Sequence, residues 1–188
     1  MKLNKTLAWS FALMVLITAL YRIIPGRQPG FAPQWAVALF AGAVIKDRKW
    51  ALILPVLSMF ISDVFYQVLH ATGLSAIPGF YEGQWINYLL FASVTVFGFF
   101  IKKATISNVL LLSLIAPTYF FIVSNFLTWA GVGEFVEYPK TWSGLMSCYT
   151  IALPFYRWSL IATVVFSAIL FGTYYLIRKN SMQAVTAQ

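Results

Sequence analysis

Long apolar runs that do not alternate with polar residues constrain this chain more than any other feature. Such runs lie near residues 6–24, 31–45, 50–70, 85–101, 107–129 and 158–177, and most match the length of helix that crosses a hydrocarbon core. Strands of a membrane barrel alternate apolar and polar positions, so continuous runs select helices. The expected fold is therefore all-α: a single integral membrane domain over 1–188, built as a bundle of six transmembrane helices. The second run is short and begins among Pro29, Gly30 and Pro33. A seventh apolar stretch, Ser143–Phe155, is too short to cross alone, and Pro154 is expected to end it. It reads as a short surface or re-entrant helix before the last span. Residues 180–188 read as a loose tail.

Composition closes the soluble alternative. Apolar residues form 61% of the chain and charged residues 10%. A small soluble domain cannot hide that much apolar surface, whereas lipid tails solvate it. Lys2 and Lys5 precede the first run in the manner of a signal peptide. The run is longer than a signal-peptide core, however, and closes on Arg22 rather than a small-residue cleavage site, so it reads as an uncleaved first helix.

The formal charge is +8, but the 13 Lys and Arg residues form short clusters between apolar runs rather than a basic face. That pattern flanks membranes and argues against nucleic acid. With the N-terminus inside, Lys2, Lys5, Lys46, Arg48, Lys49, Lys102, Lys103, Arg178 and Lys179 gather on one side. Arg22, Arg27, Lys140 and Arg157 fall on the other. The positive-inside bias places both termini in the cytoplasm. Glu82, Glu134 and Glu137 fall outside, and Trp35, Trp50, Trp85, Trp129 and Trp158 sit near span ends as an interfacial belt. The outer connections are longer than the inner ones and contain Gly and Pro, which points to a lid or binding surface on the outer face.

Polar residues inside the runs gather at one depth. Asp63 lies thirteen residues beyond Trp50, or roughly 20 Å along a helix. Arg22, Asn87, Ser124, Asn125 and Arg157 also fall toward outer span ends, with Cys148 and Tyr149 in the stretch above Arg157. An ionisable group facing lipid is costly, so this clustering implies a shared polar cavity opening outward. Asp63, Asn125, Asn87, Arg22, Arg157, Ser124 and Tyr149 are the candidate ligand-binding residues. Each has a plainer role: Asp63 pairs with Arg22 or Arg157 to hold helices together, and Asn125 bonds between helices. His70 and Cys148 are the weak candidates for a metal ligand, against a solvated interfacial histidine and an inert apolar filler. No cofactor is implied. Ala8 and Ala12 form a small-xxx-small pair on the first helix, and Ala38 and Gly42 another on the second. Both spacings suit close internal packing or docking of a partner helix.

Catalysis finds little support. Thr141-Trp142-Ser143-Gly144 lacks the first glycine of a rhomboid-type Gly-x-Ser-Gly, and the sequence holds no HExxH, no paired carboxylates in one span and no Walker A loop. The chain reads as a non-enzyme, with an intramembrane enzyme dependent on His70 or Cys148 as the third alternative.

Several stretches carry a resemblance. Phe31-Ala32-Pro33, Ala38-Leu39-Phe40-Ala41-Gly42-Ala43, Ile61-Ser62-Asp63, Ser124-Asn125-Phe126 with Trp129, Gly144-Leu145 with Cys148-Tyr149, and Ala152-Leu153-Pro154-Phe155 together resemble an uncharacterised family of small bacterial membrane proteins. In architecture the chain is similar to the substrate-binding S components of energy-coupling-factor transporters. That resemblance implies six helices with cytoplasmic termini in the bacterial inner membrane, an outward vitamin or metal-complex site, and an Ala-xxx-Ala surface for a coupling subunit, matched here by Ala8 and Ala12. It also implies an energising complex with separate ATPases. The leading expectation is thus a substrate-binding subunit for micronutrient uptake. The alternative is a structural or assembly membrane protein whose polar cluster only holds helices together.

Overall fold

The computed structural model describes residues 5–132 and 137–186, with side chains described for 9, 11–132 and 137–179. Lys2 and Glu134 lie outside the described residues. Six helices follow in order: α1 (Lys5–Arg22), α2 (Gln34–Val44), α3 (Arg48–Ala71), α4 (Gln84–Phe99), α5 (Ile106–Trp129) and α6 (Trp142–Thr186). Three of the apolar stretches, Arg48–Ala71, Ile106–Trp129 and Trp142–Lys179, are long and apolar enough to cross a membrane. The helical stretches Phe11–Arg22, Gln34–Val44 and Gln84–Phe99 are shorter.

Local chemistry sets the helix starts. The Asp47 side chain accepts the Lys49 amide at 3.0 Å to cap α3, and Thr105 accepts that of Asn108 at 3.3 Å to cap α5. Both caps occur in the short turns between apolar runs, where a free amide would otherwise end a helix unsatisfied.

The expected short helix before the last span does not form as a separate element. Ser143–Phe155 and the last apolar run are one continuous helix, with Pro154 inside it. Proline removes one backbone bond, but a helix paired along its length with a neighbour tolerates that loss. The neighbour is α5. Tyr156 Oη meets Thr118 Oγ1 at 2.8 Å, Tyr149 Oη donates to the Ile122 carbonyl at 2.7 Å, and Phe121 stacks on Tyr156 at 4.4 Å. The tail over 180–188 is helical where it is described. Residues 180–186 prolong α6, and 187–188 lie outside the described residues.

The short second helix sits in the middle. Eight of its eleven residues are buried, and it packs against α3, α4, α5 and α6. At about 1.5 Å per residue it is roughly half the thickness of a hydrocarbon core, which suits a helix enclosed by protein rather than lipid. Its closest neighbour is α4. A Cβ on Gly42 would stand 2.3 Å from the Thr95 carbonyl oxygen, and one on Gly98 would stand 2.3 Å from that of Leu39. The Ala38–Gly42 face is thus spent on internal packing. Phe40 contacts Phe11 of α1 and Phe171 of α6, while Trp35 contacts Phe91 of α4 and Phe120 of α5.

Around this centre the surface is apolar. Leu13, Ile17, Ile53, Val68, Leu89, Leu111, Ile169 and Leu176 are each about half exposed or more. A monomeric soluble protein does not present so continuous an apolar surface, and a lipid bilayer is the environment that accommodates it.

Candidate functional site

Asp63, on the inner face of α3, is 2% exposed. Two other helices converge on its carboxylate. From α1, the Arg22 guanidinium donates to Oδ1 in the salt bridge found among the described residues. From α4, Gln84 Nε2 donates to Oδ2 at 2.6 Å and Tyr88 Oη donates to the same oxygen at 2.7 Å. Gln84 and Tyr88 are four residues apart, so one helix face presents both. Arg22 also reaches Ser62 Oγ at 2.6 Å, and the Tyr66 hydroxyl donates to the Arg22 backbone carbonyl at 2.7 Å. A carboxylate in an apolar bundle is tolerable only when paired and hydrogen-bonded, and this one is both.

The connection between α3 and α4, residues 72–83, closes over this group. Gln67 Oε1 accepts the backbone amides of Gly79 and Phe80 at 3.1 and 3.2 Å. Gln84 uses its second amide hydrogen on the Gly79 carbonyl at 3.0 Å. A side chain at position 79 has no room, because a Cβ there would lie 1.9 Å from the Asp63 carbonyl oxygen and 2.4 Å from the Gln67 nitrogen. Two glutamine side chains therefore peg the connection down, and a glycine lets it lie flat on α3. The Tyr81 amide donates to Gln84 Oε1 at 3.3 Å, and burial pushes the Tyr81 phenol above its ordinary pKa.

The candidate residues divide into separate groups. Asp63 and Arg22 meet; of the two arginines weighed as its partner, Arg157 is exposed and stands apart, over the Trp158 ring at 5.8 Å. Asn87 donates to the Tyr81 hydroxyl and, with Ser124, lines a small neighbouring cavity of about 50 Å³ together with Tyr81, Gly83 and Thr128. Space of that size accommodates a few waters, not a vitamin. Asn125 bonds the Phe121 carbonyl of its own helix and faces Cys148, whose thiol lies 3.4 Å from the Asn125 carbonyl. Tyr149 is turned onto α5. The single shared cavity expected from depth is thus resolved into a closed cluster at Asp63, a small cavity beside it, and helix-pairing contacts between α5 and α6.

His70 stands exposed at the end of α3, with Nδ1 at 3.0 Å from the Ser75 carbonyl, and Cys148 is buried. Among the described residues no three His, Cys, Asp or Glu side chains come together as a metal site. Ala12 is exposed on α1, and the side chain of Ala8 lies outside the described residues.

Sequence reasoning missed Gln84, Tyr88, Ser62 and Gln67, the residues that complete and cover the Asp63 site. The signal was available in part. Gln84 and Tyr88 share a face at the start of α4, which counting along the apolar runs places at the level of Asp63. A family model described as a family of unknown function, DUF6580, matches residues 2–185. No curated protein and no solved structure matches the chain.

Proposed function

We propose that this chain, which belongs to the DUF6580 family of unknown function, is a multi-pass bacterial inner-membrane protein that captures a small solute on its outer face. It serves as the substrate-binding subunit of an uptake system resembling the S components of energy-coupling-factor transporters. Both termini are cytoplasmic, following the positive-inside bias, and α2 completes the bundle from within. The chain carries no nucleotide-binding motif, so energy comes from a separate coupling subunit and its ATPases, with Ala8 and Ala12 on α1 as the docking surface.

The observation that carries this reading is the covered carboxylate. Asp63, Arg22, Gln84 and Tyr88 form a charged, hydrogen-bonded group in an apolar bundle, under a connection held by two side-chain pegs and by Phe80 packed on Phe60 of α3. Intramembrane ionisable groups are costly and mark solute sites by default. In the closed form the protein's own Arg22, Gln84 and Tyr88 occupy the carboxylate. A solute bearing hydrogen-bond donors would replace Gln84 and Tyr88 once residues 72–83 lift.

A second reading rests on the same contacts. Both carboxylate oxygens of Asp63 are hydrogen-bonded from within the protein, as in an interhelical clasp that fastens α1, α3 and α4 in a structural or assembly protein.

Native mass spectrometry of the gently purified protein distinguishes the two. The uptake reading expects a co-purifying small molecule, or one captured from a panel of vitamins and metal complexes, that is lost in a folded Asp63→Asn variant. A protein that remains free of ligand throughout the panel, and whose Asp63→Asn variant differs only in thermal stability, is the clasp.

A further inference from the structure

A second site lies away from Asp63, where the α1–α2 connection meets α6. A groove of about 380 Å³ runs there between Tyr21, Ile24, Arg27, Gln28, Phe31 and Trp158. Its chemistry is one-sided. Arg27 donates through Nε to the Arg22 carbonyl at 3.2 Å and through Nη1 to the carbonyls of Gln28 and Phe31 at 3.3 and 3.2 Å. These bonds fix the guanidinium plane and leave the two Nη2 hydrogens without a protein acceptor among the described residues. Among the described residues no carboxylate lines the groove, and Asp63 is already committed to Arg22. A second guanidinium, Arg157, stands 5.8 Å from the ring of Trp158 and has no acidic partner among the described residues. The aromatic wall is rigid: Phe31 meets Trp158 edge-on at 6.0 Å, and Tyr21 meets Phe166 edge-on at 5.4 Å.

An uncompensated, preoriented guanidinium fits an oxyanion, and at a membrane surface the abundant one is the phosphate of a lipid headgroup. What the phosphate is attached to follows from the surface below. Leu13, Ile17 and Leu20 of α1 are 58%, 55% and 44% exposed, and Ile24 at the groove is 51% exposed. The spacing of the three helical residues puts them on one face, so an apolar track leads along α1 to the groove. A free anion has no use for that track, whereas an acyl chain covers it.

We infer that this groove is a binding site for an anionic membrane phospholipid. Arg27 takes the phosphate, with Arg157 adding positive charge at the rim. Tyr21 and Trp158 bound the glycerol region, and an acyl chain lies along Leu20, Ile17 and Leu13. The site does not depend on the solute reading, because it shares no side chain with the Asp63 cluster apart from the backbone carbonyl of Arg22.

The test is lipid retention by native mass spectrometry of the full chain in detergent, with phosphatidylglycerol and phosphatidylcholine at equal concentration. Both lipids carry the phosphate that Arg27 takes, but among the described residues the groove offers no carboxylate to the choline ammonium, which Arg27 and Arg157 repel. The site therefore predicts retention of phosphatidylglycerol over phosphatidylcholine by about tenfold, and loss of most of that preference in Arg27→Gln. Arg27 also holds its own loop. Should Arg27→Gln fail to fold, the double variant Arg157→Gln/Trp158→Leu must lower the preference instead. Equal retention of the two lipids by the wild type overturns the inference, as does an undiminished preference in a folded variant. Displacement of the lipid by an equal concentration of glycerol 3-phosphate would assign the groove to a free phosphate and overturn the lipid assignment.

Discussion

Replacing Gly79 by alanine adds a single methyl group and isolates the seal over Asp63. The new Cβ would stand 1.9 Å from the Asp63 carbonyl oxygen and 2.4 Å from the Gln67 nitrogen, both backbone atoms of α3 that have no means of turning aside. An ordinary carbon–oxygen contact needs about 3.3 Å, so the connection must retreat by about 1.4 Å. At that displacement the bonds from the Gly79 and Phe80 amides to Gln67, now 3.1 and 3.2 Å, pass beyond hydrogen-bonding range. Each contributes about 1 kcal/mol net. Overpacking adds about 1–3 kcal/mol, and the stiffer unfolded chain returns about 0.4–1 kcal/mol. The expected net loss is about 2–5 kcal/mol, concentrated in residues 72–83. Thermal unfolding in detergent should show a lowered midpoint. Amide hydrogen exchange should show residues 79 and 80 losing protection while the interiors of α2 and α5 keep theirs. A midpoint and an exchange pattern both matching wild type would refute the packing described for this connection.

Removing the Asp63 carboxylate leaves Arg22 without its counter-charge. With Arg22 25% exposed, Asp63→Ala should cost about 2–4 kcal/mol, less than a fully buried pair. The double variant Arg22→Gln/Asp63→Ala should recover part of that loss in denaturation measurements, and strict additivity with the two single variants would show that the two groups do not interact. Gly42→Leu should prevent the close approach of α2 and α4 and abolish a monodisperse, folded species on size exclusion; a folded Gly42→Leu protein would contradict the Gly42–Gly98 crossing. Cys148 is 2% exposed, so a maleimide should label it only as the protein unfolds, and rapid labelling of the native protein would place the thiol elsewhere. In a Cys148→Ala background, Glu82→Cys should react with an impermeant thiol reagent on intact cells and Lys103→Cys only after permeabilisation, and the reverse pattern would invert the proposed orientation.

How much was legible can be judged from particular elements. The starts and ends of α3, α4 and α5 fall within two residues of the apolar runs at 50–70, 85–101 and 107–129, because a run long enough for a helix leaves the backbone no other way to satisfy its amides in an apolar setting. The reading failed at Pro154, where a local rule against proline in helices was overridden by the contacts of Tyr149 and Tyr156 with α5. Depth along the helix placed Asp63 and Arg22 at one level and they do meet, but it also gathered Asn125, Tyr149 and Arg157, which point elsewhere. Position along an axis fixes height, whereas the direction of a side chain depends on helix rotation and crossing, which one-dimensional spacing does not carry.

The sequence by itself determined an all-helical, lipid-compatible chain, the approximate limits of α3, α4 and α5 and the clustering of its positive charge between the apolar runs. Those properties depend on hydropathy and on charge counted along the chain, and each is local. Only the tertiary structure decided that α2 is the enclosed centre, that α6 is unbroken, that Gln84 and Tyr88 complete the Asp63 carboxylate, and that a glycine at 79 allows residues 72–83 to close over it. These depend on distances between residues far apart in sequence, where a single methyl group or a modest rotation decides whether two side chains touch.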